Sequence, residues 1–149
     1  MIQRIQTIYL VLAILTIVAY LFAPVIQYEA LDVNYVRNLP TWEVAYFVSG
    51  YYVFVAAILS AIAAGFSLIA IFLFSKRGIQ SLLCWVAILF HLLAVGYVYY
   101  VFQTKETPID IIYTAWNLAA IPPLVFLLLA YFAIQKDEAL IKSMDRLRD

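Results

Sequence analysis

The sequence predicts an all-α protein, a four-helix bundle that crosses a membrane four times. Three observations carry this reading. The chain is 67% hydrophobic and only 12% charged, outside the range of soluble folds. Four long segments, residues 8–26, 53–74, 82–102 and 111–134, contain no Asp, Glu, Lys or Arg. The bases gather on one side of those segments: Arg4, Lys76, Arg77, Lys136, Lys142, Arg146 and Arg148 against only Arg37 and Lys105.

A helix rises about 1.5 Å per residue, so each segment is about 28–36 Å long, against a hydrocarbon core of about 30 Å. Backbone amides have no partner in lipid, so each segment should be helical. The chain reads as one integral membrane domain over residues 1–149, ending in a helical tail over 135–149. Span 1 follows Arg4 as a signal peptide would, but no small-x-small cleavage site follows, and it reads as an uncleaved helix. Four spans place both termini on the basic side. The positive-inside rule makes that side cytoplasmic, with a net charge of +3 against −3 outside.

The long outer connection, from about Gln27 to Tyr52, alternates at Leu31, Val33 and Tyr35, and has a second β-prone run from Trp42 to Val48. Asn38-Leu39-Pro40 between them reads as a turn. One reading is a short β-hairpin on the outer face; the other is an irregular loop running into an early start of helix 2. Residues 75–81 form a tight basic loop, making helices 2 and 3 antiparallel neighbours. On helix 2, Ala57, Ala61 and Gly65 repeat every four residues, a packing stripe suited to the bundle or to a homodimer seam.

Helix 4 has a start signal in Thr107, Pro108 and Asp110. Pro122 and Pro123 then fall inside it, depriving the Leu118 and Ala119 carbonyls of donors and predicting a kink or local unwinding. In the tail, Leu140, Met144 and Leu147 share a face and Glu138 precedes Lys142 by four, the pattern of a helix near headgroups or of a solvated extension. Tyrosine and tryptophan concentrate toward the outer boundary. An interfacial belt explains most of this, and an aromatic surface for an outer partner or amphiphilic ligand is the alternative.

His91 is the only histidine, about 13 Å above the inner end of helix 3, level with Thr16 and with residues 65–67. Two readings follow. A neutral imidazole bonded to Thr16 or Ser67 would hold helices together. Alternatively His91, with Thr16, Ser67 and Asn117, would line a ligand site beside the Pro122-Pro123 kink. A single histidine excludes bis-histidine haem, and both methionines lie outside the spans, so no cofactor is expected. Cys84 lies about 10 Å from His91, too far to share a metal, and alone forms no intrachain disulfide. The spans lack the carboxylates of proton-coupled pumps, and the chain has no glycine-rich phosphate loop or nucleophile triad. The charge balance does not suit nucleic acid.

The start Met1-Ile2-Gln3-Arg4-Ile5-Gln6-Thr7-Ile8-Tyr9-Leu10, the basic inner loop before Leu82-Leu83-Cys84, and the tail from Lys136 to Arg148 resemble a bacterial family of small four-span integral membrane proteins of unknown function. The resemblance covers the whole layout. It implies a four-helix protein of the bacterial cytoplasmic membrane and carries no catalytic residues. The expected role is structural or one of interaction, as an accessory subunit or homo-oligomer among membrane lipids. Lipid or small-molecule binding or transport is the alternative, and an enzyme the third choice.

Overall fold

Proline, side-chain size and charge set where each apolar segment becomes a helix in the computed structural model, which describes residues 3–29, 36–40, 55–103, 111–113 and 115–146. Helix α1 is Gln3–Phe22, strand β1 Pro24–Glu29, strand β2 Val36–Pro40, helix α2 Val55–Phe72 and helix α3 Arg77–Gln103. Strand β3, Ile111–Tyr113, leads through a 3-10 turn, Ala115–Ala120, into helix α4, Ile121–Arg146. Among the described residues, four segments are long and apolar enough to cross a membrane: Ile5–Phe22, Val55–Phe72, Arg77–Tyr100 and Ala115–Met144.

The boundaries differ from the apolar windows, for identifiable reasons. Helix α1 stops at Phe22 although the apolar run continues to Ile26. Pro24 cannot donate to the Tyr20 carbonyl, which takes the Ala23 N–H instead, at 3.2 Å. Helix α3 begins five residues before its apolar window. The Gln80 N–H bonds the Lys76 carbonyl at 3.0 Å, so most of the basic loop is the first turn of the helix. The largest shift is in the fourth segment. Ile111–Tyr113 is strand rather than helix, and the start signal read at Thr107, Pro108 and Asp110 lies outside the described residues. The α-helix opens at Ile121 and runs unbroken to Arg146, taking the tail with it.

Pro122 and Pro123 therefore sit in the first turn of α4, where their missing N–H groups are not needed. The unwinding expected around them takes the form of the 3-10 turn just before.

The strands pair antiparallel in the order β2-β1-β3. Tyr28 faces Arg37 on one side and Ile111 on the other. The two proline partners, Pro24 and Pro40, occupy strand ends, where they break no ladder bond. The strand segments anticipated near 31–35 and 42–48 lie outside the described residues. Asn38-Leu39-Pro40 is not a turn; it belongs to β2. Because β1 follows α1 and β3 precedes the 3-10 turn, the sheet ties the end of α1 to the start of α4.

Around the bundle, α1 packs on α2 and α4, and α3 packs on α2 and α4, a closed ring of four. Each helix turns one stripe inward at spacings of three and four residues. These are Leu10, Ala13, Ile17 and Tyr20 on α1; Ala56, Ser60, Ala63, Ser67 and Ala70 on α2; Cys84, Ala87, His91 and Ala94 on α3; and Pro123, Leu127, Ala130 and Ile134 on α4. The α2 stripe is Ala and Ser throughout, which lets its neighbours approach closely. The stripe Ala57, Ala61 and Gly65 lies beside this face and not on it: Ala57 and Gly65 are half-buried and Ala61 is exposed. A Cβ added at Gly65 would meet nothing within 4 Å, so no neighbouring backbone presses against it.

The outside is the inverse of a soluble protein. Leu15, Phe22, Ile58, Leu89, Val125 and Phe132 are all exposed, with large apolar side chains on every helix. Water would penalise such a surface and hydrocarbon would not. The protein is thus a membrane protein whose helices contact lipid.

Candidate functional site

His91 lies wholly buried on the inward stripe of α3. Its Nε2 stands 3.1 Å from the Ala120 carbonyl, where the 3-10 turn passes into α4. A carbonyl only accepts, so Nε2 carries the proton and donates. The Tyr20 ring meets the imidazole edge-on, with centroids 5.4 Å apart and planes at 74°. The one histidine thus joins α3 to the start of α4 and to the end of α1. Its Nδ1 is buried and has no partner among the described residues.

The partners anticipated for His91 are not the ones it uses. The Thr16 hydroxyl bonds its own helix at the Leu12 and Ala13 carbonyls, at 2.8 and 3.0 Å. Ser67 bonds the Ala63 carbonyl at 2.9 Å. Short hydroxyls in apolar helices reach the preceding turn without crossing a gap, and both hydroxyl protons are used this way. Asn117 sits half-buried on the 3-10 turn. The imidazole finds its acceptor one turn nearer the sheet than its depth in the apolar window suggests. The Pro122-Pro123 start of α4 brings a carbonyl there.

A second polar layer closes the opposite end. Gln6 on α1 donates its Nε2 to the Ala133 carbonyl on α4 at 3.2 Å. One turn further along α4, Asp137 takes the Arg77 Nε at 2.6 Å. Asp137, Gln6 and Gln80 are all buried, at 7%, 2% and 2% exposure. Nothing in the apolar windows singled out these residues. Extending the inward stripe beyond the windows would have done so, since Gln6 precedes Leu10 by four and Asp137 follows Ile134 by three. Arg77 also stands at the positive end of the α3 dipole, and the Asp137 carboxylate offsets that.

Between these layers Leu10, Ala13, Ala70, Cys84, Ala87, Leu127, Ala130 and Ile134 form a continuous apolar core. Cys84 is a free thiol inside it. Among the described residues no group of three His, Cys, Asp or Glu is placed to hold a metal. A shallow groove of about 350 Å³ lies on the outside of the α2–α3 pair, lined by Leu59, Leu92, Leu93, Gly96, Tyr97 and Tyr100. It faces the lipid side rather than His91.

No curated protein and no solved structure matches this chain. A family profile described as a domain of unknown function, DUF4293, matches residues 2–147. With nearly the whole chain inside that match, and four helices fit to span a membrane, the protein belongs to this family, whose activity is unknown.

Proposed function

We propose that the protein is a structural or interaction component of the bacterial cytoplasmic membrane, an accessory subunit or a self-associating unit. Both termini lie inside. The observation that carries this reading is how the buried polar side chains are used. Buried Gln6, Asp137 and His91 each bond across to another helix, Asp137 to the half-buried Arg77, and the core between them is apolar. A bundle built this way holds one shape and presents an outer surface. Seven bases against two across the spans support the orientation and favour anionic lipid at the inner face.

Lipid or small-molecule binding, with transport as its extension, is the second reading. The unpartnered Nδ1 of His91 beside the proline start of α4 favours it. Purification in a mild detergent or in native nanodiscs, followed by mass spectrometry of the intact assembly, separates the two. A stoichiometric protein partner or a homo-oligomer supports the first reading. A monomer carrying one defined small molecule that is lost in His91→Gln supports the second and overturns the first.

A further inference from the structure

Among the described residues, two buried side-chain atoms of the inward stripes lack a protein partner near the same level, and they sit on adjacent helices. One is the His91 Nδ1 on α3; the other is the Ser60 Oγ on α2. Both residues are 0% exposed. Ser60 differs from other helix hydroxyls among the described residues. Thr16, Ser67, Ser81 and Ser143 each bond a carbonyl of their own helix three or four residues back, and Ser60 does not.

The relative heights follow from the outer groove, where Leu59 of α2 lies beside Leu92, Leu93 and Gly96 of α3. Ser60 adjoins Leu59 and His91 adjoins Leu92, so the two backbones lie within about three residues, ~4.5 Å, of one level. Two hydrogen bonds through one oxygen span about 5.5 Å. A buried polar atom left without a partner costs more than ordering one water molecule.

The geometry points to a buried water site between α2 and α3, with one water donating to His91 Nδ1 and bonded to Ser60 Oγ. Nε2 holds the ring proton against Ala120, so Nδ1 offers a lone pair, and water supplies the donor it needs. The serine hydroxyl takes either role. The bridge completes a brace that runs from α2 through water and imidazole to α4, while the tyrosine edge of α1 covers the ring.

The sole histidine makes the test direct, since its two ring nitrogens give the only imidazole signals. Solid-state NMR of 15N-histidine-labelled protein in lipid bilayers should show a neutral ring protonated at Nε2. A magnetisation-transfer cross-peak from a slowly exchanging water to Nδ1 is expected, and it should disappear in Ser60→Ala. Absence of that cross-peak, or its persistence unchanged in Ser60→Ala, overturns the proposal. As a second reading on the same pair, Ser60→Ala and His91→Gln should be non-additive in the unfolding equilibrium by about threefold or more. Strict additivity counts against a shared water.

Discussion

Replacing His91 by alanine removes the bond to Ala120, the edge contact with Tyr20 and the volume of the ring at once. The expected loss is about 2–4 kcal/mol, mainly from the cavity. His91→Gln, which keeps a donor but not the ring, should lose less than half of that. Reversible unfolding in mixed micelles measures both. At the other end, Asp137→Ala leaves the Arg77 guanidinium, 21% exposed, without its carboxylate. We expect a loss of about 1–3 kcal/mol, with Asp137→Asn in between. The partly exposed Glu138–Lys142 pair, four residues apart at 2.7 Å, should by contrast contribute about 0.5 kcal/mol or less. The sequence made His91 stand out because it is lone and polar in an apolar run. It did not disclose the acceptor, because a backbone carbonyl has no residue signature. Gln6, Gln80 and Asp137 escaped for a different reason: they flank the uncharged windows, and their burial follows from tertiary packing beyond the window edges.

Among the elements, the start of α4 shows how proline can define a helix without bending it. With Pro122 and Pro123 in the first turn, Pro122→Ala should change stability by less than about 1 kcal/mol, whereas Ala130→Pro in the buried interior should cost about 3 kcal/mol or more. Thermal unfolding followed by circular dichroism distinguishes these outcomes. Gly96 is exposed in the interior of α3, and an added Cβ meets nothing within 4 Å. Gly96→Ala should stabilise the protein by about 0.5–1 kcal/mol, because alanine loses less backbone entropy than glycine on entering a helix. Uncharged apolar length disclosed four helices, closely placed for α2 and α3 and shifted along the chain for α1 and α4. Their ends depended on finer chemistry: Pro24 ending α1, the Lys76 carbonyl opening α3, and the pairing of Ile111–Tyr113 with β1. That last pairing joins residues more than eighty positions apart and leaves no local trace in an apolar segment.

At the scale of the molecule, the outer surface is inverted relative to a soluble protein, with bulky apolar side chains outside and a core of Ala, Leu and Ile with a few polar groups within. The charge asymmetry supports the proposed orientation. Reporter domains fused to either terminus should be active only in the cytoplasm, and moving two of the inner bases to the outer connections should weaken that preference. The central claim is that the inside is a closed, braced core and not a route. Single cysteines at Ala63 and Ala94, in a Cys84→Ala background, test it most directly. Both positions are 0% exposed, Ala94 one turn from His91 on α3 and Ala63 one turn from Ser60 on α2. Treated in sealed vesicles with a membrane-impermeant maleimide applied to each side in turn, they should stay unlabelled until the protein is denatured. Rapid labelling of either cysteine in the native protein would reveal water access through the bundle and contradict the account.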